Sequence, residues 1–432
     1  MTRSFLWLAC FAVLGACAET GDVQPVAPQV QPAASTSTSV ARLSPSLSNT
    51  SVGTALRTAI LQGPTLRAAR AGEARALSAV DGALGQRRPD FSVGLSADVR
   101  TTTGSQLSPV LNVRQLIYDG GASRNQILAA EARSRTAVAQ TTLQVTDRSL
   151  EALSAWEELH LARQLEEIAR EATLRYSEFE ARVARRIEAG AGRNAEALRV
   201  ASRRDEAAAE LARASGRVES AASRVLEIYN TMPSVGPLPR APAPSAGTKR
   251  NALIKSVDAE LAAAEADLAA SEASRVPAVY LDVFGDLDDF DDPGVGTGLR
   301  VDYDVGTNGQ RAAAIQAATA AAEQLRAERE LLLDSVVRSA ADAQSRQLSL
   351  QRELDAATRS EAAARAALAD AEQGFRGGRF DIFDLLDLGR DLDRAASRRI
   401  EVAAAFRLSG YARLAVSGEL LDVFGIVPER VK

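Results

Sequence analysis

The chain is short of cysteine, histidine, aromatic residues and net charge, and each shortage excludes something. Its two cysteines, Cys10 and Cys17, both lie in the first 17 of 432 residues. No disulfide framework and no thiol chemistry can therefore organise the remainder. The only histidine, His160, falls in the middle of a helical stretch and reads as a surface or packing residue rather than a ligand. Aromatic residues make up 4% of the chain, too few for a set of ordinary globular cores. A formal net charge of −5 leaves no basic stripe, which speaks against nucleic acid as a partner. After the N-terminus no apolar run reaches about 18 residues, so no transmembrane helix is expected. No nucleophile–base pair or metal-ligand spacing is present. The glycines of "GAGRN" and "GGR" follow no strand, so they are turns and not phosphate cradles. The reading is a non-enzyme without a cofactor or a metal.

What is abundant is alanine, set among charges of alternating sign over very long runs. That pattern belongs to long helices packed closely side by side. The N-terminus has Arg3, an apolar run from Phe5 to Leu14, and then "LGAC". It resembles a bacterial lipoprotein signal, in which cleavage leaves Cys17 as the lipidated first residue; the alternative is an ordinary secretory signal. Ala18 after the cysteine fits sorting to the outer membrane. The expected layout is a signal over 1–16 and a Pro/Gln/Ser/Thr-rich tether over 17–46. A first repeat over 47–235, a Pro-rich linker over 236–247 and a second repeat over 248–427 follow.

The repeats are visible in spacing. "QLIYDGG" closes an alternating stretch and opens a long Ala-rich one, and "VDYDVGTNG" does the same later, with Tyr118 and Tyr303 offset by 185. Gly190 and Gly378 are offset by 188, each followed six residues on by an acid, Glu196 or Asp384. The period is far too long for a solenoid. Each half reads as a helix (about 51–87 and 249–275), a proline, two strands, a long helix and a return helix. In "FSVGLSADVR" apolar and small or polar residues alternate, giving a strand with one face of each kind. The strands are expected near 91–99, 110–118, 279–287 and 295–305, with "TTTGSQLSP" as a polar connection. Two-faced strands of about ten residues suit a membrane barrel with a wet lumen or a soluble hairpin packed on a helix. If they span a membrane, four strands per chain require several chains; three would give twelve. Two would give eight, whose interior is filled by side chains.

From Gly121 to Gly190 no proline interrupts a helical apolar spacing, a rod of roughly 100 Å. The return helix to Tyr229 and the next helix to Arg275 together match it. In the second half, the run from Gln310 is matched by the helix after Asp381 and, in the same cylinder, the N-terminal helix. The fold class is thus mainly α with a small membrane β-barrel: a long hollow helical barrel with strands at one end.

Lipidated signal, proline before an alternating strand, "YDGG", long helix and the turn "GGRFDIFDLLDLGRDL" together resemble the TolC-like outer-membrane efflux proteins, over about residues 51–427. The resemblance implies a homotrimer with a twelve-stranded barrel in the outer membrane and a helical tunnel across the periplasm. It implies an exit duct for an inner-membrane ABC or proton-driven pump or type I secretion machine, joined through a periplasmic adaptor. The helix-hairpin tips, here Gly190 to Asn194 and Gly377 to Ile382, would form the entrance and the adaptor-docking site, with Gly190, Gly192, Gly377, Gly378, Arg379 and Phe380 at the turns. The family's acidic pattern falls on Asp384 and Asp387, which the resemblance makes stacked carboxylate rings constricting the pore. The alternative is a solvated acidic helix start. Where the family's gate often has an arginine four residues before the first aspartate, this chain has Phe380, with Arg379 one position off. Phe375, Phe380 and Phe383 read as exposed bulk for docking or sealing. The acidic loop 286–292 reads as solvated rather than calcium-binding, because Phe290 breaks the alternation. The competing reading is a lipidated periplasmic adaptor or coiled-coil scaffold without a pore.

Cys17→Ser should abolish acylation while leaving insertion intact, because a lipid chain only assists a barrel's own apolar surface. Metabolic labelling with palmitate checks the first half, and membrane fractionation the second.

Overall fold

A computed structural model describes residues 44–100, 104–190, 192–245, 247–286, 294–305 and 309–427. Cys17 and most of the acidic loop lie outside the described residues. Two helices come first, α1 (Ser51–Gln62) and α2 (Pro64–Gly85), followed by β1 (Asp90–Arg100) and β2 (Gly104–Tyr118). The first hairpin is α3 (Ala122–Glu188) with α4 (Asn194–Tyr229). The second half runs α5 (Ala252–Ala273), β3 (Ala278–Asp286), β4 (Gly294–Asp302), α6 (Gln310–Arg376), α7 (Ile382–Ser417) and a short α8 (Leu420–Phe424).

The helices α3 and α6 have 67 residues each, and the return helices α4 and α7 have 36 each. At 1.5 Å per residue the long ones reach about 100 Å. Both α4 and α5 pack along α3, so the return helix and the next one do share the length of the long rod. The N-terminal helix departs from expectation twice. It breaks at Gly63, whose extended backbone (φ −69°, ψ 155°) lets Pro64 start α2 at its first turn. Within the protomer α2 then packs against α3 and not along α6.

The strands form one antiparallel sheet in the order β1-β2-β3-β4, so β2–β3 joins the two repeats. Gly104–Pro109, expected as a polar connection, is strand, with Ser105 opposite Val99 and Pro109 opposite Leu95. The strand β4 ends at Asp302, which leaves Tyr303 and Val305 beyond it rather than on its apolar face.

The larger core lies at mid-height, where Leu56, Leu153, Trp156, Leu159, Val225, Tyr411, Leu414 and Phe424 are buried together. The Pro-rich linker after Tyr229 is an extended strap across this girdle, held by side chains far away in sequence. Trp156 Nε1 donates to the Gly236 carbonyl at 2.8 Å, and the Tyr411 hydroxyl to that of Pro239 at 2.7 Å. Glu157 is 1% exposed; it accepts from the Leu238 N–H at 3.3 Å and from Arg407 Nε at 2.9 Å. The N–H and hydroxyl of Ser245 donate to Glu419 at 2.9 and 2.6 Å. Asn251 Nδ2 reaches the Val416 carbonyl at 2.8 Å. His160 is half-buried close to Glu157 and Arg407, and burial lowers its pKa. It packs beside them, and among the described residues no group of three or more His, Cys, Asp or Glu could hold a metal ion.

Removing Glu157 strands the Arg407 guanidinium and an amide of the strap. Glu157→Ala should cost about 3 kcal/mol, read as a lower urea midpoint, and Glu157→Gln, which keeps an acceptor, should cost less.

Candidate functional site

Two regions can do what a conduit requires: the faces of the sheet and the hairpin tips. In the sheet the register sorts side chains cleanly. Val93 lies opposite Leu111, Val113 opposite Val283, and Leu281 opposite Leu299. These make one continuous apolar face that is open to its surroundings: Val93 is 80% exposed, Val295 76% and Leu299 73%. No helix of the described residues is long and apolar enough to cross a membrane.

The opposite face is polar. Asp282, 6% exposed, takes Arg114 Nε on one carboxylate oxygen at 3.0 Å and Arg300 on the other at 2.7 Å. One carboxylate thereby ties β2 and β4 to β3, across the seam between the repeats. Phe284 lies on the same face over Gly296, where a Cβ would come within 2.3 Å of its ring. Below, a cavity of about 970 Å³ opens where sheet and helices meet, lined among others by Arg88, Val276, Tyr280, Tyr303 and Arg311.

At the tips the glycines behave as turn residues. Gly190 and Gly378 have φ of +72° and +75°, the left-handed region in which a side chain is strained. Gly192 serves differently: its backbone lies against Ile187, where a Cβ would approach within 2.7 Å. Gly377 closes α6 with its N–H on the Gln373 carbonyl at 3.3 Å, and the exposed Arg379 donates its N–H to the Gly374 carbonyl at 2.8 Å.

The phenylalanines are not the exposed cluster expected. Phe375 is 8% exposed and belongs to a core with Tyr176, Phe179 and Val183 of α3, Val200 of α4 and Leu385 and Leu386 of α7. Phe380 folds back onto Gly374, and Phe383 is half-buried. Arg186 stands 5.0 Å over the Phe375 ring and Arg199 5.9 Å over that of Phe383. Burial wins because the two hairpins pack on each other, so each provides the apolar surface that the other's rings need.

Asp384 and Asp387 are both exposed on α7. Asp384 also completes a capping box: it accepts from the Asp381 N–H, and Asp381 accepts from its N–H, each at 3.0 Å. Asp387 has Arg390 at 3.5 Å. Glu196, at the equivalent spacing in the first repeat, is instead 7% exposed and paired with Arg193 at 3.0 Å. At these equivalent positions, only the second tip therefore exposes its carboxylates.

Above the tips, one cluster that sequence reading missed joins the hairpins. Arg175 of α3 donates to Asp393 of α7 at 2.7 Å, and the Tyr176 hydroxyl does so at 3.3 Å. Burial pushes the Asp393 carboxyl up despite Arg175, and pushes the Tyr176 hydroxyl up as well. Glu361 of α6 is also part-buried, but Arg365 and Arg399 hold its carboxyl below the usual range. Charged residues abound on every helix here, so nothing in the sequence distinguishes these.

A four-stranded sheet with one apolar and one polar face is continued here by paired helices of about 100 Å. Residues 244–410 match the outer membrane efflux protein family. No curated protein matches the chain. Among solved structures, the outer-membrane channel OprN is 21% identical, with 85% of this chain and 90% of that one covered and a TM-score of 0.77. VceC from Vibrio cholerae is 17% identical, with coverage of 88% and 97% and a TM-score of 0.76. The Campylobacter jejuni CmeC channel is 13% identical, with 86% of each chain covered and a TM-score of 0.77. The chain therefore has the fold of these outer-membrane channels, with the family match confined to residues 244–410.

Gly378→Val should strain the second turn by about 1–2 kcal/mol and impair export with little change in global melting. Gly192→Val should act more weakly, since Gly192 is not in the left-handed region that Gly190 and Gly378 occupy. Export by a reconstituted pump and adaptor, beside a thermal melt, reads both.

Proposed function

We propose that three copies of the chain form the outer-membrane exit duct of a tripartite system, taking substrates from an inner-membrane pump through a periplasmic adaptor. The observation that carries this is the four-stranded sheet whose exposed face is apolar and whose edges, β1 and β4, are unpaired within the chain. Open edges have no place in hydrocarbon, where every backbone group must find a partner. Pairing β4 of one copy with β1 of the next supplies it. Two copies would close a barrel filled by its own side chains; three leave a lumen. The helices support the same count, since Leu331, Val337 and Leu348 of α6 are 69, 58 and 52% exposed and lack the N-terminal helix beside them. A neighbouring copy's α2 would cover them.

The Arg114–Asp282–Arg300 face then lines the lumen, and the tips form the periplasmic entrance and meet the adaptor. Asp384 and Asp387 from three copies give two carboxylate rings there, which attract cations and narrow the way in. Lipidation at Cys17 adds a second attachment to the outer membrane. Transport is passive through the duct, without catalysis by this chain.

Purified protein in planar bilayers should give discrete cation-selective openings. Asp384→Asn with Asp387→Asn should weaken that selectivity while leaving assembly unchanged, as exposed carboxylates add little to stability. A protein that assembles but never conducts would overturn the duct.

A further inference from the structure

The two helix-to-strand corners repeat a feature that the duct does not use. Pro89 and Pro277 are offset by 188, the same offset as the tip glycines, so Arg87 and Arg275 are equivalent residues. The corners are built alike: the Arg87 N–H donates to the Leu84 carbonyl at 3.2 Å and the Arg275 N–H to that of Glu272 at 3.1 Å. In each repeat the following residue, Arg88 or Val276, lines the cavity on the polar side. Arg87 and Arg275 stand outside that lining and are exposed. Gln115, on the apolar face opposite Leu281, donates to the Arg87 carbonyl at 3.0 Å, which places this corner at the margin of that face. At the same end of the sheet, Ile117 and Tyr118 on the bulge are 57 and 53% exposed. Among the described residues neither guanidinium has a hydrogen-bond or ion-pair partner. Asp119 lies near enough to feel Arg87, but its two oxygens accept from the N–H groups of Gly121 and Ser123 at 3.0 and 2.7 Å.

We propose that Arg87 and Arg275 form a collar binding the phosphates of phospholipid headgroups in the periplasmic leaflet, and so set how deeply the sheet sits. The inference rests on the barrel of the preceding subsection. An unpaired arginine at the rim of an exposed apolar face meets the headgroup layer, and a guanidinium fork suits phosphate. Tyr118 beside it is the amphipathic ring favoured at that boundary. Trimer symmetry would space six such arginines around the barrel. The competing role is local, a cation closing the C-terminal end of α2 or α5, and it predicts no lipid preference.

The test reconstitutes the full chain in phosphatidylcholine vesicles with and without phosphatidylglycerol, and measures spin-labelled lipid held at the protein surface. The wild type should enrich phosphatidylglycerol about fivefold per arginine at low salt and lose this near 1 M salt, where screening is short-ranged. Arg87→Gln with Arg275→Gln should abolish the enrichment, and the Lys pair should retain most of it. Equal enrichment in wild type and Gln variant, or none in either, overturns the collar. Competition by added inorganic phosphate would make it a free-anion site and overturn it as well. Conductance recorded in the same lipids reads the duct separately: channels without lipid preference remove only the collar, and no channels in any lipid remove the duct.

Discussion

Backbone hydrogen bonding governs the sheet end of this molecule. Every N–H and C=O in hydrocarbon must be paired within protein, and the sheet leaves one side of β1 and one side of β4 open. The requirement reaches beyond the strands. In the proposed barrel it makes oligomerisation a condition of insertion, and oligomerisation would in turn explain helices that look badly packed in a single copy. The α6 leucines and valine left in the open are the helical counterpart of the open strand edges. A chain of 432 residues with so few aromatics has no need of large private cores if neighbours cover its long sides.

Duplication supplies the frame, and divergence between the copies locates function. Arg87 and Arg275 keep the same corner, Gly190 and Gly378 the same left-handed turn. Glu196 and Asp384 do not keep the same role: one is buried against Arg193, the other exposed at a helix start. The hairpins also divide labour in packing, with α3–α4 contributing Arg186 and Arg199 over the rings of α6–α7. The second tip thus gains a covered apolar interior and a charged exterior.

Much of this was legible in the sequence because it is local. Asn194 and Tyr229 bound α4 as the glycine turn and the proline run imply. The alternating faces of the strands follow from period two, which no tertiary contact changes. What escaped was decided at a distance. Gly104–Pro109 looks like a loop because its Gly, Ser, Gln and Pro give it the composition of a turn; only pairing with β1 makes it strand. The tip phenylalanines looked exposed because their cover, α3, comes nearly 200 residues earlier. The strap has no periodicity at all, and its course is set by Trp156, Glu157, Tyr411 and Glu419. The cluster of Arg175, Tyr176 and Asp393 is likewise invisible in a chain where a quarter of residues are charged.

The strap also has a mechanical consequence. The chain passes the girdle at its N-terminal turn, at the linker and again after α7, and the buried Glu157 ties the linker at Leu238 to Arg407 of α7. Clamped at its middle, such a beam would pass little bending from the tips on to the strands. In the proposed duct, the barrel would then stay sealed while the entrance is remodelled.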